Sequence, residues 1–230
     1  NLEGKDIRSA VTKLASGLTA RAVTLPHRVE APSKNGLNFH KKDTDQTHFM
    51  LGVTDPSFAQ DSPTASIGEV LNAVLGAGMS SRLFLNIRER QGLAYAINSH
   101  FHSFEDTGLI QIYGGVNTGK INQTLTALDA ELRQLATKPV GKVELDKAKA
   151  LITGSYDMSA DRPIDLARWY GVGRLLGDQD SIEQARRKIL LVKSEAVREL
   201  AERVFAKSRQ ALAVIGPFES DKIFQDFLGN

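Results

Sequence analysis

Apolar positions along the chain fall into a small number of clear periodicities. Ile7, Val11 and Leu14 lie at helical spacing in Lys5 to Leu18, which ends near Gly17 and predicts a short helix. Residues 24–46 hold Pro26, Pro32, Asn35, Gly36 and a charged run from His40 to Asp45, the composition of a linker with at most one weak strand. Thr47 to Thr54 predicts a strand closed by Asp55-Pro56. Ser62-Pro63 reads as an N-cap and first helical residue, and Ile67, Val70, Leu71, Val74 and Leu75 form the apolar stripe that follows. A second helix opens at Ser80 or Ser81 and runs to about Gln91, with Gly92 as its C-terminal stop. Strands near 93–104 and 108–116, joined through Glu105-Asp106-Thr107, predict a β-hairpin.

The second half reads as helices. Ile121, Leu125, Leu128, Leu132 and Leu135 step by 4, 3, 4 and 3. Helices are predicted over 142–158, 162–176, 181–189 and 194–207, the third opened by a capping box at Ser181 to Gln184. Gln210 to Ile215 predicts a last strand, followed by a short helix. The order strand, two helices, hairpin, several helices, strand predicts an α+β fold, with a mostly antiparallel sheet covered by helices on one side.

Composition narrows the chemistry. The 230 residues include no cysteine, which excludes disulfides, thiolate metal sites and a thiol nucleophile. A net charge of +2 does not argue for nucleic acid. No apolar run reaches the roughly 18 residues of a membrane helix. The first residue is Asn1, which predicts a chain processed or excised from something longer.

Three constellations are candidates for function. Gly114 to Lys120 matches G-x-x-x-x-G-K between a strand and a helix, but Ile121 stands where Ser or Thr should hold Mg²⁺. The plain alternative is a turn with a solvated lysine. The five histidines, His27, His40, His48, His100 and His102, contain neither H-E-x-x-H nor H-x-x-E-H; His27 to Glu30 begins the inverted form, but Ala31 ends it. His100 and His102 could share an ion, though two ligands make a poor site. No zinc is expected in this chain. The third constellation is Arg88 and Tyr95, seven residues apart across the turn at Gly92. A fixed guanidinium fork and a phenol projecting from one rigid corner could bind a peptide carbonyl or a developing oxyanion. The plain alternative pairs Arg88 with an acid and half-buries Tyr95 in the sheet.

Gly78-Met-Ser-Ser-Arg-Leu-Phe84, followed by Ile87-Arg-Glu-Arg-Gln-Gly-Leu-Ala-Tyr95, resembles the C-terminal domain of the pitrilysin/insulinase family of zinc metallopeptidases, to which processing peptidases belong. Gln46 to Thr54, Thr107 to Gly115, Val143 to Lys149 with its E-L-x-x-A-K pattern, and Ala213 to Pro217 extend the resemblance over roughly residues 30–218. The resemblance implies a LuxS/processing-peptidase-like metallohydrolase fold over 31–230, with 1–30 as a lead-in from a preceding half. It implies a two-half proteolytic unit in which an H-x-x-E-H half holds the zinc and this half contributes Arg88 and Tyr95. Tyr95 would stabilise the oxyanion, Arg88 would hold a carbonyl of an extended peptide, and this half would be inactive alone. The resemblance places the zinc half either on the same polypeptide or on a separate subunit. An exposed face that normally meets it would also favour a homodimer of the isolated half. The alternative within the family is a structural member akin to the core subunits of respiratory complexes. Relatives occur in bacterial cytoplasm and periplasm and in organelles, so the resemblance leaves the compartment open.

Overall fold

The computed structural model describes residues 4–19, 35–59, 62–176 and 180–229. Among these described residues five strands make one sheet: β1 (Gly36–Lys41), β2 (Gln46–Thr54), β3 (Ala94–Ser103), β4 (Gly108–Asn117) and β5 (Ala211–Gly216). Their spatial order is β1-β5-β2-β4-β3. The pairs β2/β4, β2/β5 and β3/β4 are antiparallel, while β1 runs parallel to β5. The sheet is therefore mixed but mostly antiparallel, and β1 is the weak strand of the 24–46 region. It places Leu37 and Phe39 against the core and Asn38 and His40 outward. Its partner β5 lies some 175 residues further on, and no local pattern announces that pairing.

The helices are α1 (Gly4–Ala15), α2 (Ala65–Leu75), α3 (Ile121–Thr137), α4 (Lys142–Ala160), α5 (Pro163–Leu176), α6 (Ile182–Leu191), α7 (Ser194–Val204) and α8 (Lys222–Leu228). One face of the sheet carries Phe49, Leu51, Val53, Ile110, Ile112, Leu212 and Val214, all buried. They pack with Val70, Val74, Leu125, Leu128 and Leu200 from the helices on that side. The opposite face carries Met50, Ala213 and Ile215, which are exposed. Along α1, Ile7, Val11 and Leu14 are exposed as well.

Local chemistry explains most element ends and corrects three. Ser181 and Gln184 form the capping box that starts α6. Ser62 does not cap α2; its hydroxyl accepts from Thr64 N–H in a turn that precedes Ala65. The α7 helix stops at Val204 rather than 207, followed by a 3₁₀ turn at Lys207–Arg209. The segment expected to be an ordinary helix up to Gln91 is wound as a π-helix over Leu83–Arg90. That wider winding is uncommon and concentrates at functional sites. His27 and its near-miss motif, with the proline-rich part of the linker, lie outside the described residues.

Candidate functional site

The corner between the π-helix and β3 is fixed from three directions. Leu83 and Ile87, one turn apart, are buried, so the helix is held to the core by that edge. Gly92 ends it with φ +59°, a left-handed conformation that glycine adopts without the Cβ penalty. The N–H groups of Gly92 and Leu93 donate to the carbonyls of Arg88 (3.1 Å) and Ile87 (3.0 Å), which closes the widened last turn. From the 3₁₀ turn that follows β4, Lys120 Nζ donates to the Gly92 carbonyl at 2.9 Å.

A β-bulge then sets the direction of Tyr95. Ile97 and Ser99 face the helices and are buried, and continuing that alternation backwards would aim Tyr95 into the core. The register instead jumps from Ala94 opposite Val116 to Ala96 opposite Gly115. Tyr95 is the extra residue. Ala94 takes the buried position, and Tyr95 is left 60% exposed over a recess of about 150 Å³ that includes Gly92, Asn117 and Lys120. Its hydroxyl has no hydrogen-bond partner among the described residues.

Arg88 leaves the last turn of the π-helix with its side chain 43% exposed. Its guanidinium lies 4.8 Å from the centroid of the Phe84 ring and only loosely approaches Glu89, at 3.9 Å. No hydrogen bond joins Arg88 and Tyr95. Both sequence-predicted site residues thus present donors to solvent, Arg88 from the π-helix and Tyr95 from the start of β3, and the loose approach to Glu89 leaves the Arg88 donors accessible.

Two interactions that the sequence reading did not reach hold this corner to the helices. Arg82 donates to both oxygens of Glu144, at 2.7 and 2.9 Å, and to Gln134 Oε1 at 3.1 Å. Burial opposes the charge on Arg82, but the hydrogen bonds and charge of Glu144 prevail and raise its pKa. Asn86 donates to Glu131 at 2.7 Å. Arg82 and Glu144 each belong to one of the two most distinctive sequence patterns, so their joint appearance was the available signal.

The other constellations resolve into structure. Gly114 and Gly115 lie within β4, and Asn117 caps a 3₁₀ turn by accepting from Gly119 N–H at 2.9 Å. A Cβ at Gly114 would lie 2.2 Å from Phe49 Cε1, so that glycine makes room for a core ring and cradles no phosphate. Lys120 is bonded to Gly92 rather than being merely solvated. His100 and His102 project from β3 with ring centroids 6.3 Å apart, and Phe104 stacks on His102. Among the described residues no three metal-ligating side chains converge, so these residues do not fit a zinc ion. Among the described residues no helix is long and apolar enough to cross a membrane.

Residues 1–152 match a family model described as the peptidase M16 inactive domain. An uncharacterized zinc protease of Bacillus subtilis, YmxG, is 33% identical over 178 residues, which are 77% of this chain and 43% of that protein. The crystal structure of a protease from Helicobacter pylori is similar with a TM-score of 0.84 at 19% identity, over 94% of this chain and 53% of that one. A crystal structure of a peptidase M16 inactive domain from Pseudomonas fluorescens gives a TM-score of 0.79 at 20% identity, over 95% of this chain and 52% of that one. At such identities the structural likeness establishes the fold. The chain spans less than half the length of the curated relatives it matches.

Proposed function

The chain belongs to the M16, or pitrilysin-type, peptidase family as its inactive C-terminal domain, and from that premise we propose that it is the substrate-gripping half of a zinc metalloendopeptidase. The zinc site belongs, on this reading, to an H-x-x-E-H half, on the same polypeptide or a separate subunit. This chain does no metal chemistry. Its residues 1–30 connect to the preceding half, and 31–230 form the domain.

Tyr95 donates its phenolic proton to the oxygen that gains negative charge when the scissile carbonyl is attacked. Arg88 holds a neighbouring backbone carbonyl of the extended peptide. Preorganised donors aimed at developing charge are worth most when they need no rearrangement. The observation that carries the reading is the bulge at Tyr95. It turns a phenol that strand alternation would bury into one that faces solvent with its donor free.

The test is peptide hydrolysis by this chain alone, and after mixing with a zinc-loaded H-x-x-E-H half from the same source. Silence alone, with chelator-sensitive and Tyr95-dependent cleavage on mixing, is expected. Correctly assembled halves that stay silent would overturn the proposal in favour of a structural subunit. Cleavage by this chain alone would overturn it in favour of a metal site of its own.

A further inference from the structure

Away from the Arg88–Tyr95 corner, a cavity of about 210 Å³ opens among α2, α4, α5 and α6 beside β3. Glu69 of α2 reaches into it. Both of its carboxylate oxygens approach a single donor, the Tyr156 hydroxyl, at 2.8 and 3.0 Å. No cation pairs with Glu69 among the described residues. An ionised carboxylate offers about four acceptor sites, and one hydroxyl proton fills one of them. Burial accordingly pushes the Glu69 carboxyl above its usual range, with the Tyr156 hydrogen bond opposing that shift.

The walls are aromatic. Tyr156 and Trp169 meet edge to face with centroids 5.2 Å apart, and Phe101 lines the same space. Trp169 is held in place by its indole N–H, which donates to the Asp180 carbonyl at 3.0 Å. At the rim Lys188 is ion-paired with Asp180. Glu69 is thus a carboxylate short of donors, without a counter-ion, beside the ring of a fixed indole. The complementary group is an organic cation, whose N–H donors meet the carboxylate while its charge lies against the rings. Among the described residues no three metal-ligating side chains converge here, and a hard metal ion takes six or more oxygens.

We propose that this cavity binds one guanidinium or primary ammonium group on a short alkyl stem. The cation sits between Glu69 and the Trp169 ring, and the small volume admits one such group at a time, any further part of the ligand lying outside. The source is either a small free amine or a basic side chain of a peptide.

Trp169 is the only tryptophan of the chain, so its emission reports occupancy directly. The 230-residue chain is titrated with agmatine, with n-butylammonium and with neutral 1-butanol. A saturable change with both cations and none with the alcohol is expected. Glu69→Gln keeps the shape and removes the charge, and it weakens agmatine binding at least tenfold. Lys188→Ala, on an exposed side chain, removes a like charge from the rim and tightens binding severalfold. It also keeps the proposal falsifiable should Glu69→Gln fold poorly. A second arm uses acetyl-Gly-Arg-Gly-amide, whose only cation is its side chain. Binding of this peptide assigns the site to peptides, and binding of agmatine alone assigns it to free amines. The proposal is overturned if no cation gives a saturable change at tens of millimolar, or if 1-butanol matches n-butylammonium. It also falls if natively folded Glu69→Gln binds as well as the parent chain, or if Lys188→Ala weakens binding.

Discussion

Two glycine-bearing junctions lie side by side and do opposite things. Gly92 joins the π-helix to β3, and Gly114 to Lys120 joins β4 to α3. The second has the more suggestive motif, yet its glycine is filled by the Phe49 ring and its lysine is bonded to a backbone carbonyl. The first has no phosphate or metal motif, yet it delivers Arg88 and Tyr95 to solvent with their donors available. Polar groups left without internal partners stay available to a ligand, and the lysine of the second junction is already taken. The two junctions are also coupled, because Lys120 of the second fixes the Gly92 carbonyl of the first.

The contrast can be broken from either side. Tyr95→Phe should lower turnover of the assembled enzyme by about 10²–10³, the usual cost of one oxyanion donor. Because its hydroxyl is unpaired, the same substitution should change stability by no more than ~0.5 kcal/mol in denaturant titration. An unchanged turnover number would end the catalytic role of Tyr95. Gly114→Ala should destabilise by about 1–3 kcal/mol, since its Cβ meets a core ring that has little room to move. Chemical unfolding would read that loss, and a neutral result would mean that the Phe49 ring yields.

Gly92→Ala meets no atom within 4 Å, so its cost is conformational alone. About 1–2 kcal/mol is expected for a left-handed residue, with activity falling as the corner loosens. Lys120→Met should cost at most ~1 kcal/mol, because the hydrogen bond it removes is exposed. It should reduce turnover modestly through the position of Tyr95. Calorimetric titration with ATP should give no heat of binding for either form. Nucleotide binding lost in Lys120→Met would restore the phosphate-loop reading.

Much of this molecule is set by patterns confined to short stretches of chain. The 4-3-4-3 apolar steps of α3, the capping box of α6, the hairpin turn and the glycine that ends the π-helix are each decided by neighbours within a few residues, and each was legible. The identities and spacing of Arg88 and Tyr95 were legible for the same reason. Long-range pairings were not. The parallel partner of β1 lies near the other end of the chain, and the grip of Arg82 on Glu144 spans 62 residues. Neither leaves a local trace beyond residue type. The bulge is the decisive case. By sequence, Tyr95 sits two positions before Ile97 and belongs with it on the core face. Only the pairing of β3 against β4, where Ala94 fills the space opposite Val116 and Ala96 meets Gly115, inserts the extra residue that turns the phenol outward. Sequence determined which chemical groups stand at this corner, because that is a local property. Tertiary structure decided where they point, because strand register is fixed by how both strands pack on the core.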